Sequence, residues 1–361
     1  NKRIKFIMAY TTINKSSLFM NPLLYAGNSD GAATQSITGV GFTPDLTLIK
    51  YRDGTQPNQF YDTVRGATKV LKSVGDILET TDAQGLTSFD SDGFSLGTNN
   101  TTVNQNGGNY VAWNWKAGTA VSGQTTGSGT YKTYTGSVNT TSGFSIIKYT
   151  GNGTAGHTIP HNLGVAPSMV ICKSISENRG WPIQHSGLTS AAYSVYLSTT
   201  NAQSNSTNSW NSTAASSSVV TLGNDANNNS NDQTYIMYSF AEVPGYSNFG
   251  SYTGNGNVDG PFIYTGFRPT FFLVKRITDG SESWVLFDNK RQNSFNTVTG
   301  ILKPNLSEVE TTQSGGSLDF LSNGVKLRNT DGTFNNDAKE FIYMAFGQTL
   351  VGTNNIPNNA R

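Results

Sequence analysis

A short pattern recurs three times in this chain at a fixed offset. Gly41-Phe42-Thr43-Pro44 is followed at alternate positions by Leu46, Leu48 and Lys50. Gly164-Val165-Ala166-Pro167 is followed in the same way by Met169, Ile171 and Lys173, and Gly266-Phe267-Arg268-Pro269 by Phe271, Leu273 and Lys275. Internal repetition of this kind restricts the fold to an array of like units. The spacing of two identifies each copy as a strand, because residues two apart on a strand share a face.

Other signals repeat around it. Each copy opens on a short strand running into a Gly/Asn turn, at Tyr25-Ala26-Gly27-Asn28, Tyr149-Thr150-Gly151-Asn152 and Tyr252-Thr253-Gly254-Asn255. An aromatic strand follows, containing Phe60-Tyr61-Asp62, Trp181 to His185, or Trp284 to Asp288. Here Phe60 is read as the counterpart of Trp181 and Trp284. Late in the copies lie Ser91-Asp92-Gly93, Ser218-Val219 and Ser322-Asn323-Gly324; Asp-Gly and Asn-Gly favour tight hairpins. The copies close on Tyr110–Trp115, Tyr235–Phe240 and Phe341–Phe346.

These features predict an all-β protein of three tandem β-sandwich repeats, jelly-roll or lectin-like, over 22–118, 142–243 and 244–348. Residues 1–21 read as an N-terminal arm without a core of its own. The Gly/Ser/Thr-rich stretch 119–141 reads as a linker with one strand around Tyr131–Tyr134, and 349–361 as a polar tail. Met8 is a candidate start, with the residues before it an extension.

Only 13% of residues are charged and the net charge is +1, so nothing directs the chain to nucleic acid or an anionic membrane. No apolar window reaches transmembrane length. A single cysteine, Cys172, rules out an intrachain disulfide and reads as a buried thiol.

The chemistry-bearing residues are few. Lys50, Lys173 and Lys275 end core-facing stripes and need partners. Asp62, His185 and Asp288, twelve or thirteen residues on, are the expected ones, giving structural polar pairs at the sandwich edge. His157 and His161 are four apart, but the Thr-Ile-Pro between them argues for extended chain and against a metal site. The Asn/Asp-rich runs 224–232 and 335–337 read as hairpin tips, with calcium the less favoured alternative. No nucleophile elbow, phosphate loop or dinucleotide fingerprint occurs, and no cofactor is expected. Trp210 and Asn211 lie in a polar run without a counterpart in the other copies. Trp210 either stands exposed, to stack on a sugar or seat a partner, or folds back over its sandwich.

The motifs Tyr-Thr-Gly-Asn-Gly at 252, Ser-Asp-Gly-Phe at 91, Tyr-Val-Ala-Trp-Asn-Trp-Lys-Ala-Gly at 110 and Phe-Ala-Glu-Val-Pro-Gly-Tyr-Ser at 240 resemble a repeat family abundant among structural and tail-associated proteins of marine bacteriophages. The resemblance runs from about residue 22 to 348. It implies a non-enzymatic virion-surface protein, as a tail fibre or receptor-binding component adhering to a host glycan or outer-membrane protein. Other virion proteins and further copies of the chain, as a trimer, are the implied partners. A capsid decoration protein is the alternative, and a glycan-degrading tail enzyme the third.

Overall fold

The structure, a computed structural model, describes residues 11–291 and 296–350. The protein is all-β with antiparallel pairing between its strands. No helix among the described residues is long and apolar enough to cross a membrane.

One strand order is met three times. In the first unit the opening strand Met20–Ala26 pairs with the closing strand Asn109–Trp115. The closing strand pairs in turn with the lysine strand Leu46–Tyr51, and that with Gln59–Asp62. The second unit repeats this with Phe144–Thr150, Thr234–Phe240, Met169–Ser174 and Pro182–His185. The third does so with Ser247–Thr253, Glu340–Gln348, Arg268–Arg276 and Val285–Asp288. Register is kept as well as order: Leu48 faces Phe60, Ile171 faces Ile183, and Leu273 faces Leu286.

Alternation gives each large sheet two apolar faces. On one face, Ile49, Tyr110 and Ala112 pack with Ile37, Phe94 and Leu96 of a three-stranded sheet belonging to the same unit. The second unit does the same with Val170, Tyr235 and Met237 against Ile159, Val220 and Leu222. The third does so with Phe272, Val274 and Phe341 against Ile263, Val325 and Leu327.

The opposite faces meet one another. Leu46, Leu48, Trp113 and Trp115 share one cluster with Met169, Ile171, Tyr238 and Phe240, and with Phe271, Leu273, Met344 and Phe346. At its centre stand Trp115, Phe240 and Phe346, which occupy the same place in their respective closing strands. Their rings are 6.0 to 6.4 Å apart and inclined at 65 to 70°. Edge-to-face contacts at this separation suit the aromatic quadrupole.

Two expectations need revising. The stretch read as a linker forms strands Thr119–Gln124 and Thr133–Asn139, which extend the second large sheet beyond its opening strand. Its small polar residues leave few apolar anchors, with Tyr134 and Val138 the buried ones. The described part of the N-terminal arm is also anchored. Ile13 is buried in the central cluster, the Ser16 backbone N–H donates to Gln348 Oε1 at 2.6 Å, and Phe19 packs edge-on to Tyr246. Residues 13–19 thus lie against the third unit.

The shared interior predicts cooperative melting. Phe346→Ala removes a ring that touches aromatics of all three units and should cost about 3–5 kcal/mol. Calorimetry should show one transition that moves down as a whole. Several transitions of which only one moves would mean that the units fold separately.

Candidate functional site

The recurring ionisable residues all lie where units meet. The expected Lys–Asp and Lys–His pairs are not formed, and the antiparallel register explains why. Leu46 faces Asp62, so Lys50, four residues further along, is roughly 13 Å from that carboxylate. The same holds where Met169 faces His185 and Phe271 faces Asp288.

Asp62 instead accepts from Arg65, at 2.5 Å to Nε, and Asp288 from Arg291 at 2.6 Å. Both pairs are almost entirely buried, with side-chain exposures of 0 to 1%. Each carboxylate also takes a proton donor from another unit. The Tyr238 hydroxyl donates to Asp62 at 2.7 Å, and the Trp113 indole N–H to Asp288 at 3.1 Å. Tyr238 and Trp113 are equivalent, since they face Ile171 and Leu48.

The third member of this set is Met344, which faces Leu273 and has no proton to donate. The residue across that interface is His185, and three residues on, where the other units have arginine, stands Leu188. His185 Nε2 lies 3.1 Å from the Tyr343 carbonyl, and Nδ1 accepts the Gly187 N–H at 2.9 Å. Where donor and arginine are both lost, the carboxylate is replaced by a neutral imidazole. Burial holds the His185 pKa down to about 4.

The lysines complete each interface from the other side. Lys50 Nζ donates to the Gln56 carbonyl of its own unit and to the Ser307 carbonyl of the third at 3.1 Å. Lys275 donates to the Glu282 carbonyl at 2.7 Å and across to the Thr200 carbonyl of the second unit at 2.9 Å. Lys173 donates to the Arg179 carbonyl, stands 5.8 Å from the Trp181 ring centre, and feels the Asp76 carboxylate of the first unit. Burial lowers all three to about 8.

Trp181 packs on Phe60 across an interface, with ring centres 5.0 Å apart. The register places Phe60 opposite Leu48, in line with Ile183 and Leu286, so it is not the counterpart of the two tryptophans. That place belongs to Asn58, whose amide donates to the Pro304 carbonyl at 3.0 Å.

Trp210 is buried. It ends the helical turn Thr207–Trp210, packs in the second unit's own cluster and donates its indole N–H to Ser194 Oγ at 2.8 Å. Asn211 caps that turn in the left-handed conformation, at φ 50°, and is exposed. His157 and His161 belong to an extended segment starting with strand His157–Pro160, where i and i+4 are roughly 13 Å apart. Among the described residues no three His, Cys, Asp or Glu side chains come together as metal ligands. Cys172 is buried, its thiol pushed up to about 12.

The Asn-rich runs turned out to be latches. Asn104, Asn229 and Asn335 are wholly buried, and their Oδ1 atoms accept the backbone N–H of Asn28, Asn152 and Asn255 at 2.9 to 3.0 Å. The neighbouring Gly27, Gly151 and Gly254 have no room for a Cβ, which would stand 2.3 to 2.4 Å from a carbonyl oxygen. Each latch lies six residues before the aromatic that begins its closing run, Tyr110, Tyr235 or Phe341. That spacing was available in the sequence. Asp45 was also missed; it accepts from Thr63 Oγ1, the Ala117 N–H and Ser137 Oγ, tying the first unit to strand Thr133–Asn139.

A cavity of about 300 Å³ opens beside His185, between Ala166, Pro167, Ser186 and Leu188. Its one ionisable wall residue is His185, whose ring nitrogens are both engaged.

Two tests follow from this geometry. Arg65→Leu leaves the Asp62 carboxylate buried without its cation and should cost about 3–5 kcal/mol in urea denaturation. Adding Asp62→His copies the second unit and should recover most of that loss. A double variant no more stable than Arg65→Leu would contradict the equivalence of the two solutions. His185 gives the second. An unfolded imidazole binds its proton near pH 6.5 and the folded one only near 4. Its stabilising effect is therefore complete above pH 6.5 and is lost as pH falls toward 4, by about 3 kcal/mol in all. His185→Gln should flatten that part of the stability profile.

No curated protein matches the chain, and no solved structure does. Residues 15–349, spanning all three units, match the family described as "Domain of unknown function (DUF7483)". The chain therefore belongs to the DUF7483 family.

Proposed function

We propose that this protein is a non-catalytic display module of a bacteriophage virion, a tail-fibre or receptor-binding component that adheres to a host surface glycan or protein. In this reading the units are jelly-roll or lectin-like sandwiches, held rigid so that their outer faces and loops can be presented. One observation carries the proposal. The recurring ionisable side chains are spent on joining the units to one another. Catalysis needs such groups within reach of a substrate, at an open site. The cavity beside His185 offers a substrate hydroxyls, alkyl groups, the Gln184 carboxamide and an imidazole already hydrogen-bonded on both sides.

A polar surface with few charges also suits adhesion, since only 13% of residues are charged. The resemblance of the sequence motifs to tail-associated phage proteins supports a site of action on a particle. Immunogold labelling of virions from a phage that encodes this chain tests the reading. Label at the tail is the expected result. Label over the head would replace adhesion by capsid decoration, and particles without label would overturn the virion assignment.

A further inference from the structure

The three copies provide an internal control on what the scaffold requires. In the small sheet of each unit, one residue of the edge or near-edge strand points inward: Ile37, Ile159 or Ile263. The residues on either side of it point outward and are free of that requirement. In the first unit they are Ser36 and Thr38, and in the second Thr158 and Pro160. In the third they are Phe262 and Tyr264, 46% and 61% exposed. The scaffold is built twice without aromatics at these positions, so neither ring is explained by folding.

Residues two apart on a strand project from the same face at a separation of roughly 7 Å. Phe262 and Tyr264 therefore form a pair of rings on one surface, at the free edge of the order Phe262–Tyr264, Gly324–Leu327, Leu318–Leu321. Gly324, which faces Tyr264, has no side chain to rise between the rings and the next strand. A Cβ there would stand 2.7 Å from the Phe262 ring, which lies over the glycine. The charges beside the rings are matched one to one. Lys326, facing Phe262, pairs with Asp259 at 2.7 Å, and Arg328 with Asp319 at 2.7 Å. Asn255 and Asn257 lie in the turn that leads into the strand.

We infer that Phe262 and Tyr264 form a stacking platform for the sugar rings of a neutral glycan. Two aromatics on a flat, uncharged floor match the C–H face of a pyranose, and the polar groups around them match its hydroxyls. Balanced local charge favours a neutral ligand over an anionic one. A protein partner fits less well: two side chains fall far short of the roughly 800 Å² per partner that a stable interface needs. The three-residue edge strand offers little backbone to pair with another chain. This inference rests on the adhesion reading and gives that reading a site.

The test is affinity electrophoresis of the full chain in native gels containing dextran, mannan, laminarin or glycogen. Wild type should be retarded by at least one of these neutral polysaccharides. Phe262→Ser with Tyr264→Thr, which installs the first unit's own residues, should bind at least about tenfold more weakly at an unchanged melting temperature. If that variant melts lower, Tyr264→Thr alone decides, since its side chain is the more exposed of the two. Retention of the variants equal to wild type overturns the platform, as does a wild type that none of the four polysaccharides retards. Either failure leaves the virion assignment standing, because immunogold labelling decides that separately.

Discussion

Trp115, Phe240 and Phe346 meet at the centre of the molecule, one from each closing strand, and the rest of the architecture depends on their contact. A β-sheet with one apolar face can be completed by one covering layer. These large sheets have two. The small sheets cover the first face of each, and only another large sheet is broad and apolar enough to cover the second. Three such faces closing on one another satisfy all of them at once, within a single chain. The interior is therefore common property, and no unit keeps its full set of buried contacts without the other two.

A shared interior brings polar side chains with it, because the strands that supply its apolar residues also carry Asp62, Lys50 and their counterparts. An isolated buried charge is costly, and each interface avoids it by reciprocal contacts. Between the first and third units, Asp288 with its own Arg291 receives the Trp113 N–H while Lys50 reaches the Ser307 carbonyl. Between the first and second, Asp62 with Arg65 receives the Tyr238 hydroxyl while Lys173 bonds a carbonyl of its own unit. The interface between the second and third units is instructive because it breaks the pattern coherently. Met344 cannot donate, Leu188 cannot neutralise, and the residue between them is a neutral histidine that donates its Nε2–H to the Tyr343 carbonyl. The change at three positions together removes a carboxylate and its arginine at once, so neither charge is left buried alone.

This internal use of chemistry separates two kinds of residue on which function could rest. Positions filled alike in all units serve the scaffold, as the buried Asn104, Asn229 and Asn335 do. Positions that the scaffold leaves free, and that one unit fills with something costly to expose, are available to a partner. Trp210 seemed to be of the second kind, yet it is a core residue of the second unit. That unit has a helical turn where the first and third have the strands Leu86–Asp90 and Leu318–Leu321, and the indole supplies the apolar bulk. Phe262 and Tyr264, unremarked in a run of similar strands, are among the large apolar side chains left in solvent.

The sequence by itself determined the recurring strands and their threefold repetition, because period-two patterning and turn glycines are local properties of the chain. It also determined that Lys50, Lys173 and Lys275 would end core-facing stripes and want a partner or an exit to water. Which partners they found was decided by tertiary structure. Antiparallel register carried each lysine to the end of its strand pair away from Asp62, His185 or Asp288, and toward a loop of another unit. The joining of three apolar faces, the conversion of 119–141 into strands and the burial of Trp210 were settled at the same level. Each depends on contacts between residues distant in sequence, which carry no local trace of where they will meet.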